Sequence, residues 1–573
     1  MGLTRDRLLA AVLFSLPAIL TAAPRLSLST TALGPISIAQ GGNGGTQTVE
    51  AGNIGDGTLS APTLSSSVSW ISASVGAQRT CITMRAAQCF PLQLALNTAQ
   101  LPAGLSTGIV TVNAPNAIDA PQTITVTVQM GGPLPGGVDV TIGQGKSADF
   151  KFYTNKFLDA SQTKSSAPWL SIVLDGVGSF TFGVPYHLHL AAAPSMPTGT
   201  YAGTATLAGS SDPIDNRQVN VTLHVTDQPV AVSSVDKVRV RLALGAPPLI
   251  TAVTLNNIGL GTLTVSDVSV TGGSWVTGQA SGAGAVLKFD SSGLSPGVYN
   301  GSISFTTNSV AALPAVPIEF TVVPQGPPVI SFNGVVDNAI FGAGDALTAG
   351  DVAVVLGEQL SFQPLTVGPA PPLATTIGGA QVLVNGSPAP MYYSSYGQLA
   401  FQVPFGLSTI DGASVQVTRD GQASNTVAMK IAPRAPRLLS VGGTSFGAIT
   451  LADGTLPLPA GTFPGLDTHP AHAGDTLVIY AIGLGPTSPG VPVGQAAPSS
   501  EPLSRLTSTP VVNMFNTGSP ALVVQPSFAG LTPTYAGLYQ VNVTVPANSP
   551  KGTVNITLGF NDAISNAVQL AIQ

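Results

Sequence analysis

Trp70-Ile71-Ser72, Trp169-Leu170-Ser171 and Trp275-Val276-Thr277 are three versions of one phrase, spaced 99 and 106 residues apart. Each is followed by a turn and a strand-like run. These read Leu101-Pro102-Ala103-Gly104-Leu105-Ser106-Thr107-Gly108, Met196-Pro197-Thr198-Gly199-Thr200-Tyr201-Ala202-Gly203 and Leu294-Ser295-Pro296-Gly297-Val298-Tyr299-Asn300-Gly301. A repeat of about 100 residues is too long for a solenoid unit and suits a β-sandwich module. The tryptophan is expected to anchor the core between two sheets, its indole N–H on a backbone carbonyl. The Pro-x-Gly-x-Tyr stretch supplies a turn, with glycine at positive φ, and then a strand. In the first copy Leu105 takes the place of the tyrosine.

Outward from these phrases the whole chain reads as β structure. Charged residues are 8% of the 573, apolar residues 44%, and Gly (65) and Pro (48) are abundant. Short runs of Val, Ile, Leu and Thr alternate between Gly, Pro, Asn and Asp turns, the pattern of an all-β protein. Low charge with high hydrophobicity argues against disorder. Net charge is −6 with 20 dispersed basic residues, which argues against a nucleic-acid partner. The loose group Lys146, Lys151, Lys156 and Lys164 reads as solvated strand edges, where lysine discourages edge pairing.

Residues 1–23 read as a secretory signal peptide. Arg5 and Arg7 precede the apolar run Leu8 to Leu20, followed by Thr21-Ala22-Ala23. The run is short for a membrane span, and an uncleaved anchor is the alternative. Export would place the protein outside the cytoplasm, secreted, on the outer cell surface or in a periplasm, with no transmembrane segment once the signal is removed. Cys81 and Cys89 are the chain's two cysteines, and in an exported protein so close a pair reads as a local disulfide.

Pro/Gly-rich joints divide the remainder into modules 24–131, 132–227, 228–326, 327–433 and 434–573. The joints are Gly131 to Gly137, Asp227-Gln228-Pro229, Pro324-Gln325-Gly326-Pro327-Pro328 and Pro433-Arg434-Ala435-Pro436. The fold expected is a tandem row of about five immunoglobulin-like β-sandwiches. Stiff proline joints predict a semi-extended rod. The first three modules resemble BACON-type Ig-like domains, in which a Trp-Leu-x phrase precedes a Pro-x-Gly-x-Tyr-x-Gly strand. That resemblance implies contact with carbohydrate or mucin.

The last two modules carry a separate duplication. Gly350-Asp351-Val352-Ala353-Val354-Val355-Leu356 aligns with Gly474-Asp475-Thr476-Leu477-Val478-Ile479-Tyr480. Gln398 to Pro404 aligns with Gln540 to Pro546, and Ser424-Asn425-Thr426-Val427 with Ser565-Asn566-Ala567-Val568. The order resembles IPT/TIG-like Ig folds. With Gln381 to Pro390, Ala481 to Pro486 and Phe528-Ala529-Gly530-Leu531, the region also resembles the Solibacter-type uncharacterised C-terminal domain of secreted acidobacterial proteins. That resemblance implies an exported bacterial protein and carries no established activity or functional residues.

Chemical motifs are weak. Gly443-Thr444-Ser445-Phe446-Gly447 fits a nucleophile elbow, with Asp467 and His469 later in the chain in the right order. An elbow needs a strand-to-helix turn, but Gly447 leads into the strand-like Ala448-Ile449-Thr450-Leu451. Asp467, His469, His472 and Asp475 could in principle ligate a metal, but Pro470 opposes the helix that would align the histidines. His187 and His189 alternate on a strand and share a face, and His224 joins them only if the strands pair; they read as surface imidazoles at a strand end. Turns such as Asn53-Ile54-Gly55-Asp56-Gly57 satisfy their own amides, with calcium at the joints an open alternative. No catalytic, cofactor or metal residue is assigned.

The expected function is a non-enzymatic, secreted or cell-surface scaffold of adhesion type, with partners among extracellular polysaccharides or surface proteins. The alternative is a carbohydrate-binding protein using Tyr201, Tyr299, Tyr392, Tyr393 and Tyr396, of which Tyr392, Tyr393 and Tyr396 form the best glycan-contact candidate. Neighbouring strand residues face opposite ways, so only part of that cluster can form a platform. A secreted hydrolase comes third.

Overall fold

The computed structural model describes residues 24–573, except 56, 85, 118–119, 135, 177–182, 443 and 464–466. The expected signal peptide therefore lies outside the described residues, as do Asp56 and Gly443. The architecture is all-β, with one 3-10 turn, Pro213–Asp215, and no α-helix among the described residues. Among the described residues no helix is long and apolar enough to cross a membrane.

Among the described residues ten sheets pair into five sandwiches. In the first, one sheet runs Leu26–Leu28, Gly44–Asn53, Gln88–Leu96, Ile71–Val75, and the other Ala32–Ile38, Gln122–Met130, Gly104–Asn113, Thr63–Ser66. The opening strand thus splits between both sheets, and its second half, Ala32–Ile38, runs parallel to the last strand, Gln122–Met130. The same parallel closure joins Gly137–Gly143 to Arg217–Thr226 and Val238–Ala243 to Val316–Val323. Isolated parallel bridges replace it in the last two modules: Leu347 to Ile431 in the fourth, and Phe446 to Gln569 and Ala471 to Ile572 in the fifth. This is immunoglobulin-like topology. Period-two burial builds each core: Val184, Tyr186, Leu188 and Leu190 point inward along Val184–Ala191, while the residues between them remain partly exposed.

The repeated phrases prove to be linked parts of one packing device. Trp70 and Trp275 are buried, and Trp169 is partly buried against its module's core. The tryptophan carbonyl accepts from the amides of Asn97, Ala191 and Asp290 respectively, at 2.7–2.9 Å. A Cβ on Gly108 or Gly203 would lie 3.2 or 3.0 Å from the Trp70 or Trp169 ring, so the glycine that ends the second phrase makes room for the ring. Trp275 stacks on Phe320 at 5.4 Å between centroids, and its indole N–H donates to the Gly272 carbonyl at 2.8 Å. Tyr201 and Tyr299 close their turns by donating to the carbonyls of Pro197 and Ser295, each four residues back and each at 2.8 Å. The turn glycine has positive φ at Gly104 and Gly199 but not at Gly297.

The C-terminal duplication is equally concrete. Gly350 and Gly474, at φ +83° and +93°, donate to the carbonyls of Val403 and Val545. Ser424 and Ser565 accept from the amides of Val417 and Leu558. Asn425 pairs through both amide atoms with the backbone of Ile330, and Asn566 with that of Leu438. Each Ser-Asn phrase thereby ties the first strand of its module to the last.

The expected rod is not what forms. Asn155 Nδ2 donates to the Ser37 carbonyl at 2.9 Å, joining modules two and one, and Gly143 N to the Ile258 carbonyl at 2.8 Å, joining two and three. Arg241 of module three reaches the Pro121 carbonyl of module one at 3.4 Å. Glu358 of module four then takes Arg241 at 3.2 Å on one oxygen and Arg25 of module one at 3.4 Å on the other. The chain folds back on itself. Proline stiffens a joint but does not set its angle, and side-chain contacts across the joints set that angle here.

Candidate functional site: a pinned loop on the first module

Gly44–Asn53 and Gln88–Leu96 pair antiparallel, with Gly52 opposite Cys89. Just before the second of these strands the chain makes a tight excursion, closed by the Cys81–Cys89 disulfide with Cα atoms 5.0 Å apart. Beneath the loop lies Glu50, 2% exposed, which a sequence of alternating strand residues does not single out. Its carboxylate accepts from the amides of Ile82 at 2.8 Å, Thr83 at 2.7 Å and Met84 at 3.2 Å, from the Thr83 hydroxyl at 2.7 Å and from Arg79 Nη1 at 2.6 Å. Burial alone would push this carboxyl up. The Thr83 and Ile82 amides, the Thr83 hydroxyl and Arg79 outweigh it and hold the group down at about 2. The loop is thus fastened twice, by a covalent bond and by an ionised plug.

The pinned loop presents Ile82, 77% exposed, to solvent. Next to it opens a cleft of about 440 Å³ lined by Ser27, Ser29, Asn53, Gly55, Thr83 and Met84. A rigid loop with an exposed apolar tip beside a mixed polar cleft is suited to recognition. Glu50 lies close to both cysteine sulfurs, but the disulfide removes them as metal ligands.

The aromatic cluster offered as a glycan platform is used elsewhere. Tyr392 donates to the Ala536 carbonyl of module five at 3.1 Å. Tyr396 accepts from the Ala243 amide of module three at 2.8 Å and packs with Phe362 on that module's core. Burial drives both phenols well above their ordinary pKa. Tyr393 is partly buried and donates to Gln398. These rings do not form one exposed plane, because two of the three fill joints between modules. Tyr201 and Tyr299 are likewise tied to their own turns.

The joints hold other side chains that the sequence did not reveal. Arg419 stacks over Phe362 at 4.4 Å and donates to the carbonyls of Gln359 and Gly326. Arg437 of module five reaches Asp345 of module four at 3.1 Å. Gln402 accepts from the Gly494 amide at 2.6 Å. Asp351 is fully buried at this joint, and burial with the nearby Asp337 charge raises its carboxyl to about 8. The available signal was scarcity: in so uncharged a chain every Arg is worth weighing as a joint residue, although Arg79 pairs with Glu50 inside one module.

The remaining motifs stay apart. Ser445 donates to Gln569 at 2.8 Å in a loop before the strand Ile449–Leu451, while His469 faces Thr455 and the Pro470 carbonyl. His472 N donates to Asp475 at 2.7 Å. His224 lies on Arg217–Thr226, in the sheet opposite His187 and His189, and meets Asp139 at 3.0 Å. Lys146, Lys151, Lys156 and Lys164 are all exposed.

No family model matches the chain, and no curated protein matches it. Among solved structures it is similar to Sidekick-1 immunoglobulin domains 1–5, at 11% identity over 96% of this chain and 99% of that one, TM-score 0.15. It is similar to the protocadherin gamma B4 extracellular domain at 13% identity over 97% and 85%, TM-score 0.15. An endo-fucoidan hydrolase of glycoside hydrolase family 107 matches at 13% identity and TM-score 0.17, over 53% of this chain and 45% of that one.

Proposed function

We propose that this chain is a non-enzymatic scaffold of adhesion type that works outside the bacterial cell, holding a pinned recognition loop in a fixed orientation. The observation that carries this reading is the bonding of modules one, three and four through Arg25, Arg241 and Glu358. Such joints give a chain of separate domains one shape, which a spacer or presenter needs and a flexible string lacks. The paired cysteines and the C-terminal resemblance to exported proteins support an extracytoplasmic setting. Glycan binding is the second reading; its favouring observation is the cleft beside the pinned loop, not the tyrosines.

Small-angle scattering of residues 24–573 tests the scaffold. Strands of about ten residues span about 33 Å, so five sandwiches end to end would give a radius of gyration of about 48 Å. A fully compact chain of this size would give about 24 Å. A single rigid particle well below the rod value is expected, and Glu358→Ala should lengthen it. A rod, or a flexible ensemble indifferent to Glu358→Ala, refutes the reading.

A further inference from the structure

We propose that the outer face of the second module holds a binding site for a divalent transition-metal ion of the Zn²⁺/Cu²⁺ class, with His187, His189 and Asp149 as ligands. His187 and His189 lie on Val184–Ala191, the middle strand of its sheet, and their neighbours Tyr186, Leu188 and Leu190 point into the core. Both imidazoles therefore leave the same outer face of a strand that its packing holds still. Asp149 sits directly opposite His189 on Ser147–Thr154. One nitrogen of each ring and one Asp149 oxygen all lie within 4.8 Å of one another.

Small side-chain shifts would bring these atoms to the spacing of metal ligands. Asp149 Oδ1 is 3.7 Å from His187 Nε2 and 2.7 Å from His189 Nδ1. Bonds of about 2.0–2.1 Å in a tetrahedron put neighbouring ligand atoms about 3.3 Å apart, between those two values. A bound cation would take the place of the proton that His189 Nδ1 shares with Asp149, and that proton would move to Nε2. The fourth position remains open to water or to a partner's side chain. Imidazole and carboxylate donors together select zinc and copper over calcium and magnesium.

A second carboxylate supplies the feature that separates this group from two surface histidines. Asp175 Oδ1 lies 2.5 Å from His187 Nδ1. It fixes the proton on Nδ1, so the lone pair of Nε2 points toward Asp149. Orientation of a ligand imidazole by an outer carboxylate is the usual support of a histidine metal site. Lys151, opposite His187, is a cation on this face; it is exposed, and its long stem can carry the charge away into water.

The test is calorimetric titration of the untagged, chelator-treated chain with ZnCl₂, paired with the visible spectrum of the Co²⁺-loaded protein. One zinc per chain with micromolar affinity is expected, with cobalt bands of low coordination number. His187→Ala and His189→Ala should each weaken zinc by on the order of tenfold or more. Asp175→Asn, which keeps all three ligands, should also weaken it, whereas His472→Ala on the last module should not. Circular dichroism checks that each variant is folded. No binding at millimolar zinc, or one-to-one binding that survives both His187→Ala and His189→Ala, overturns the site. Unchanged affinity in Asp175→Asn overturns the orienting role on which the argument rests.

Discussion

Replacing Glu50 with Gln should loosen the first module at neutral pH and leave it unaffected in strong acid. The carboxyl is held at about 2 in the folded chain, against 4.5 for the free group. Since the folded value is the lower one, the stabilisation is fully present above about pH 4.5 and is lost as pH falls through 2. At about 1.4 kcal/mol per unit, the gap corresponds to about 3 kcal/mol at pH 7. The structural origin is the set of loop amides, Ile82, Thr83 and Met84, that point at the carboxylate and would lose a charged acceptor. For a domain of this size about 3 kcal/mol lowers the midpoint by roughly 10–20 °C. Differential scanning calorimetry of the full chain can track it, because the Cys81–Cys89 disulfide is the protein's one disulfide and reduction identifies the module's transition. Removing that bond should itself cost roughly 2–3 kcal/mol. The reasoning is refuted if Glu50→Gln leaves the reduction-sensitive transition unmoved at pH 7, or if the difference from wild type persists undiminished near pH 2.

Two other sites give outcomes of the same kind. Asp351 is raised from 3.8 to about 8, so the folded state holds a proton that the unfolded state releases. Its contribution is complete below about pH 4 and declines as pH rises through 8, with a slope of at most about 1.4 kcal/mol per unit. Asp351→Asn should flatten that dependence in urea melts at pH 5, 7 and 9, and parallel curves for the two proteins would contradict the buried acid. Trp275→Ala removes a ring packed on Phe289, Tyr299 and Phe320 and should cost about 3–5 kcal/mol in chemical denaturation of the third module. A loss below about 1 kcal/mol would mean that the tryptophan is not the anchor.

The sequence alone determined what is local and periodic. Strand alternation, turn residues and phrases such as Trp70-Ile71-Ser72 and Ser424-Asn425 define a sandwich, because each records contacts made inside one module. They disclosed the all-β class, the tandem row and the cysteine pair. Tertiary structure decided how the modules meet. Tyr392 and Tyr396 look like a platform in one dimension, yet their hydroxyls bond to Ala536 and Ala243, 144 and 153 residues away. Glu50 occupies a strand position with nothing to mark it until the disulfide loop folds its amides over the carboxylate. Arg25 and Glu358 are 333 residues apart in the chain and meet only once it has doubled back. Periodicity reports which face of a strand is buried, whereas a joint or a site depends on which faces of different modules come together, and that is fixed by long-range packing.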